Sequence, residues 1–359
     1  MRQRKTFKLV SACRTTSALA ILLGLTPKFE AAAQQAYTIT DLGTLPGQAN
    51  SILYSGESLN NRGQVVVTAN NLGNFYWDGD AAYLWSEPGT IQVLPGVPGA
   101  DRNDAYGINN HGQIVGESGG SNLQAWYPVV WDHGTLYNLG IPPGDWGTSA
   151  SAINDSGVIV GTTTTFGFAL IRAVAWYDRQ LTILPSLPAA AFTQATAIND
   201  QGQIVGMSGL DAFVHYHAVI WDRGSITDLG TLGGDGSQAW GINNKSQVVG
   251  QAQTTSGEWH AAVWENGTVT DLGSFGSDPW AIAVGVNSHG QIVGVSTLPD
   301  GINTRGLLWE EGLVIDVQTL IPADSGWIIQ QAIGINERGQ IAGQGLHNGQ
   351  LHSFLLTPK

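Results

Sequence analysis

The apolar positions of this chain fall in short runs broken by Gly, Asn, Asp and Ser, and the runs recur. Ala197-Ile198-Asn199-Asp200-Gln201-Gly202-Gln203-Ile204-Val205-Gly206 has close copies at 107–116 and 285–294. Counting every match, the leading asparagine stands at Asn60, Asn109, Asn154, Asn199, Asn243, Asn287 and Asn336, with gaps of 49, 45, 45, 44, 44 and 49 residues. A fixed period in this range belongs to propellers, solenoids and arrays. The Asn side chain can bond its own backbone to start a turn, and the following glycine (63, 112, 157, 202, 290 or 339, with Ser246 in the remaining copy) can take positive φ without a Cβ penalty. Apolar residues on both sides of the turn predict a β-hairpin.

Two further signals complete each period. An apolar run ends in tryptophan at Trp85, Trp131, Trp176, Trp221, Trp264 and Trp309, with Leu356 in the seventh place. A short turn then leads to a run such as Ile226-Thr227-Asp228-Leu229-Gly230. Four short strands in about 45 residues match one β-propeller blade. No amphipathic stretch of 3.6-residue period supports a helical repeat. Residues 37–43 are a lone third signal, and the last period ends without one. Pairing the two would complete the last blade. The expected fold is therefore all-β: a seven-bladed β-propeller with four strands per blade, closed as three strands plus one, which leaves no sheet edge open.

Composition refines this picture. Only 12% of the residues are charged and 48 are glycine, which suits short strands and tight turns. Arg2, Arg4, Lys5 and Lys8 precede the apolar stretch 17–25, and Ala31-Ala32-Ala33 offers a cleavage site, so 1–33 reads as a signal peptide and 34–359 as one exported domain, periplasmic or extracellular. Nine apolar residues are too few for a bilayer span, which needs roughly 20; no membrane span is expected after cleavage. Residues 34–359 then hold nine basic and 27 acidic residues, a formal charge of −18, and no cysteine. A surface this acidic disfavours nucleic acid, and the lack of cysteine excludes disulfides and thiolate chemistry. A monomer is expected.

His217, His260 and His352 share one repeat position just before the apolar run that ends in Trp (Leu356 in the last repeat). They read as repeat chemistry, with no H-x-x-x-H spacing to indicate zinc; no metal or cofactor is expected. No G-x-S-x-G elbow, H-E-x-x-H helix, P-loop or D-x-D-x-D-G calcium loop is present. The phrases 217–221, 227–230 and 198–206 resemble the bacterial extracellular HAF repeat proteins over nearly the whole of 34–359, with Val219 and Ala262 where the signature has Phe. The resemblance implies export and a repeated β architecture. It brings no reaction, cofactor or catalytic residue.

Function is expected where the periods vary, in the connections on the face opposite the Asn turns. Trp77, Asp78, Trp126, Trp146, Asp211, His215, Trp240, Trp259, Trp280 and Trp327 lie in these stretches. Aromatic faces beside carboxylates and amides suit a glycan or another surface polymer, because sugar C–H faces stack and hydroxyls hydrogen-bond. The repeated tryptophans and asparagines are read as structural. Two alternatives stand beside a binding module: a hydrolase or lyase using paired carboxylates on the same face, and a structural or adhesive protein with a protein partner.

Overall fold

The computed structural model describes residues 36–71, 79–120, 123, 125–168, 170–209 and 215–359. The protein is all-β. Its described strands form four antiparallel sheets of four strands each and one of twelve. The twelve-stranded sheet consists of antiparallel groups joined by the single parallel bridges Trp126–Gly147 and Ile171–Phe192. Each group follows the sequence period. In one, Phe192–Ile198 enters the Asn199 turn, Ile204–Gly209 leaves it, Tyr216–Asp222 carries Trp221, and Ser225–Asp228 forms the edge. Tyr37–Asp41 lies antiparallel to Gln350–Pro358, in register from Tyr37↔Pro358 to Asp41↔Phe354. It thus supplies the fourth strand of the sheet that holds Trp327–Ile335 and Ile341–His347.

The Asn turns owe their uniformity to hydrogen bonds that leave their own repeat. Asn199 Oδ1 accepts from the Gln201 and Gln203 amides at 3.1 and 2.9 Å, closing its own turn. Its Nδ2 donates to the carbonyl of Asn243, the same residue one repeat on, at 3.1 Å. The pattern recurs from Asn60 to Asn109, Asn109 to Asn154, Asn154 to Asn199, Asn243 to Asn287 and Asn287 to Asn336. Asn336 then donates back to the carbonyl of Asn60 at 3.0 Å. All seven side chains are buried, so each donor and acceptor needs a partner inside the protein. The turn glycine has positive φ in its six copies (+80° at Gly202), and Ser246 adopts +64° in the seventh.

The second glycine of the repeat, the one closing Ile-Val-Gly, has a different cause. In six of the seven repeats the strand entering the turn carries a register shift, for instance between Ala195 and Ala197. This bulge drives the Gln194 carbonyl to 1.9 Å from where a Cβ on Gly206 would sit. Gly116, Gly161, Gly250, Gly294 and Gly343 face the same obstruction. The first repeat tests the rule. Its entering strand, Asn50–Ile52, has no register shift, and Val67 stands where the glycine would be.

The repeated tryptophans are buried between neighbouring groups. Trp221 packs with Ala152, Val160, Ala173 and Ala175 of the preceding repeat. Its indole N–H donates to the Pro185 carbonyl at 2.7 Å. Trp131, Trp264 and Trp309 likewise reach the Pro95, Gly230 and Leu272 carbonyls. In the last sheet Leu356 stands at the repeated tryptophan's position and is buried, as is Phe354.

Candidate ligand-binding cavity

Two adjoining cavities lie along the strands that enter the Asn turns, one at the strand ends remote from the turns and the other nearer to them. One of about 310 Å³ is lined by Arg102, Glu117, Trp126, Trp146, Thr148 and Phe192 among others. The other, about 230 Å³, is lined by Tyr54, Tyr106, Thr196 and Trp240 among others. Ser149 and Gln194 border both. Trp126, Trp146 and Trp240, from three different repeats, are thereby brought to one region.

Its polar floor comes from a single repeat. On paired strands, Asp104 stands opposite Glu117. The corresponding pairs elsewhere are Ser149–Thr162, Gln194–Met207, Gln238–Gln251, Ile282–Val295 and Gln331–Gln344. Only this repeat places two carboxylates there. Arg102 neutralises part of the charge. Its Nε meets Asp104 Oδ2 at 2.5 Å and Asp80 Oδ2 at 3.4 Å, and its guanidinium lies 5.1 Å from the Trp126 ring centroid. Burial, reinforced by the Glu117 and Asp80 charges and opposed by Arg102, pushes the Asp104 carboxyl up to about 7. Burial also raises Glu117, against Arg102 and a hydrogen bond from the Tyr106 hydroxyl. Tyr106 packs edge-on to Tyr54 at 5.3 Å. The region therefore offers aromatic walls, a guanidinium, hydroxyl and amide groups, and the Glu117 carboxyl; Asp104 is fully buried behind Arg102 and lines neither cavity.

The rim is held by a separate ion pair. Arg172 donates to both Asp145 oxygens at 2.7 and 2.6 Å, and Thr163 donates to Asp145 at 2.6 Å. Phe166, 81% exposed, packs edge-on to Trp146 at 6.4 Å and extends the aromatic surface beyond the cavity.

Of the other described candidate residues, none lines these cavities, and Trp259 lies behind them. Trp259 packs on Tyr216 at 6.2 Å and belongs, with Trp240, to a cluster with Phe192 and Met207. Trp327 is buried, stacked on His347 and edge-on to Phe354. Trp280 starts the strand Trp280–Val286. His215 is exposed beside His217 and Asp228 in a shallow groove. Trp77, Asp78 and Asp211 lie outside the described residues. Sequence reasoning missed Arg102, Asp104, Glu117, Tyr54, Tyr106 and Phe166. A position-by-position comparison of the repeats would have found Glu117, the one acid that follows an Ile-Val-Gly glycine.

Between this second cavity, which Gly56 lines, and the Asn turns, the 3₁₀ turn Gly56–Ser58 sits against the strands entering the turns. A Cβ on Gly56 would meet the Val284 and Ile333 carbonyls at 2.9 and 3.2 Å. Glu57 lines a cavity of about 120 Å³ among the Asn turns, where burial and the Asp200 charge push its carboxyl up to about 7.

No protein-family model and no curated protein matches the chain. Among solved structures it is similar to selenomethionine-substituted virginiamycin B lyase from Staphylococcus aureus, at 12% identity over 90% of this chain and 100% of that one, TM-score 0.51. It is also similar to an oligogalacturonate lyase in complex with manganese, at 10% identity over 90% and 94%, TM-score 0.58. At these identities the likeness shows the fold alone: an all-β architecture of the propeller kind.

Proposed function

We propose that this chain is an exported seven-bladed β-propeller of the HAF repeat type, and that it binds a glycan or another surface polymer at the end of the ring remote from the Asn turns. Seven Asn turns, each donating to the next and the last to the first, support the blade number and ring closure. So does the pairing of 37–41 with 350–358, which makes the closing blade three strands plus one. The basic and apolar pattern of 1–33 supports export as a signal peptide.

One observation carries the ligand class: Trp126, Trp146 and Trp240 come from separate repeats to adjoining cavities that also hold Arg102, Glu117, Ser149 and Gln194. Indole faces stack on sugar rings, while the guanidinium and amide groups satisfy hydroxyls. Arg102 is already paired with Asp104 and Asp80 beside Glu117, so the site has no net positive charge and favours a neutral sugar. A glycan array followed by calorimetry on the best ligand tests this. Trp126→Ala and Trp146→Ala should each weaken binding at least tenfold with little change in melting temperature. Undiminished binding in both would refute the assignment.

A second reading rests on the carboxylates. Glu117, which lines the cavity and is raised by burial, has the property of a general acid, with the buried Asp104 carboxyl opposite it on the paired strand. Cleavage of the bound glycan by the parent protein, abolished in Glu117→Gln with binding retained, would favour a hydrolase or lyase. Binding without cleavage would leave the non-catalytic module.

A further inference from the structure

The His–Asp pairs of the repeat follow one rule, and the sheet that joins the first strand to the last departs from it. His217 Nδ1 meets Asp228 Oδ2 at 2.7 Å, and His260 Nδ1 meets Asp271 Oδ2 at 2.8 Å. In both, the other carboxylate oxygen accepts the amide of the glycine two residues on, Gly230 or Gly273. The aspartate thus serves one imidazole and one turn. Asp41 does the same for His352, at 2.9 Å, and for the Gly43 amide. It also receives a second imidazole: His347 Nδ1 lies 2.8 Å from the same Oδ2. His347 comes from the neighbouring strand Ile341–His347, and its ring is fixed by stacking on Trp327, 4.5 Å between centroids and 4° between planes.

Two imidazole nitrogens and one carboxylate oxygen, all within 4.8 Å of one another, form a set that neither of the other two His–Asp pairs reproduces. We propose that Asp41, His347 and His352 hold a divalent first-row transition ion of the Zn²⁺ class. Nitrogen donors select against Ca²⁺ and Mg²⁺, which take oxygen. The ion would replace the two imidazole–carboxylate hydrogen bonds, with each histidine carrying its proton on Nε2. Three protein donors leave a fourth position for water. All three side chains are partly exposed, 30%, 26% and 15% in the order given, so an ion can enter from solvent.

The ligands span the junction of the first strand with the last two. An ion there ties Tyr37–Asp41 to the sheet it completes, so metal binding is linked to stability. The test uses the full chain, free of any polyhistidine tag and stripped with EDTA. Calorimetric titration with ZnCl₂ should show one equivalent bound and a melting temperature raised by a few degrees, whereas MgCl₂ and CaCl₂ should give neither. His347→Gln should abolish both effects, and His217→Gln, which alters an ordinary pair, should keep them. Co²⁺ added to the parent protein should produce the visible bands of a four-coordinate site, a readout that needs no variant to fold. Absence of both Zn²⁺ binding and the Co²⁺ bands, or binding that survives in His347→Gln, would overturn the proposal.

Discussion

Replacing Asn199 with alanine removes four hydrogen bonds at once, and the structure shows which of them water can restore. Oδ1 accepts from the Gln201 and Gln203 amides, and Nδ2 donates to the Asn243 carbonyl and to Gln203 Oε1 at 2.8 Å. Gln201 is exposed, so its amide can turn to water. The Asn243 carbonyl keeps the Ser246 amide as a partner at 3.1 Å. The Gln203 amide is left without its acceptor on the inner side of the turn. One stranded buried group costs about 1–3 kcal/mol, and each remaining bond contributes about 1 kcal/mol net, so the variant should lose about 2–4 kcal/mol. Urea unfolding, read as the midpoint at unchanged slope, measures this. Asn199→Asp separates the two halves of the side chain. It keeps the acceptor for the turn but sets an oxygen against the Asn243 carbonyl and Gln203 Oε1. It should therefore be as damaging as alanine at pH 7 and partly recover at pH 4, where the acid can be protonated and donate. A loss below about 0.5 kcal/mol in Asn199→Ala, within the range of an ordinary surface substitution, would show that the bonds between turns do not hold the repeats together. So would an Asn199→Asp variant as stable as the parent at pH 7.

Other predictions rest on separate features. Gly206→Ala should lose at least about 2 kcal/mol, a large effect of backbone strain, because its Cβ would collide with the Gln194 carbonyl and no flexible side chain can yield; thermal unfolding near the parent value would mean the bulge can relax. Gly202→Val, at φ +80°, should cost about 1 kcal/mol or more, and an unchanged melting temperature would count against the turn geometry. Glu57 is raised in the folded state from its ordinary 4.5 to about 7, so the stability tied to its neutral form is present below pH 4.5 and lost as pH rises to 7. Glu57→Gln should then raise the melting temperature at pH 7.5 more than at pH 4.5, with an upper bound of about 3 kcal/mol from 1.36 kcal/mol per pH unit, reduced because the side chain is only partly buried; an equal change at both pH values would refute the charge argument.

What the sequence revealed and what it withheld follow from what repeats. The asparagine, the turn glycine and the tryptophan recur because every repeat needs the same turn and the same packing residue, so their roles could be read from spacing. The Ile-Val-Gly glycine was visible as a pattern but not as a cause. Its need arises from a bulge in the partner strand, and no residue of the partner announces that bulge. The Asn199 to Asn243 bond was hidden because it joins turns 44 residues apart. The cavity was least legible. Asp104 and Glu117 are the exceptions of one repeat at positions occupied elsewhere by Ser, Thr, Gln, Ile, Val or Met, and Arg102 stands where the other bulged repeats have Gly, Phe, Trp or Ile. Periodicity averages such exceptions away. Tryptophan counting identified Trp126, Trp146 and Trp240 but also Trp327, whose ring is covered by His347 and Phe354. Composition cannot distinguish a ring that faces a cavity from one that fills a core.

The pairing of Tyr37–Asp41 with Gln350–Pro358 sets a schedule for assembly. Thr38 and Thr357, hydrogen-bonded across that seam, are 319 residues apart. The strand made among the first of the fold must wait for a partner made among the last. Until then it carries unpaired backbone groups, and the final sheet lacks an edge strand. A growing chain in this state can accept the corresponding strand of a second copy, since the two ends are complementary whichever molecule supplies them. Slow synthesis or crowded release should therefore favour exchanged dimers over monomers, with the same contacts distributed across two chains.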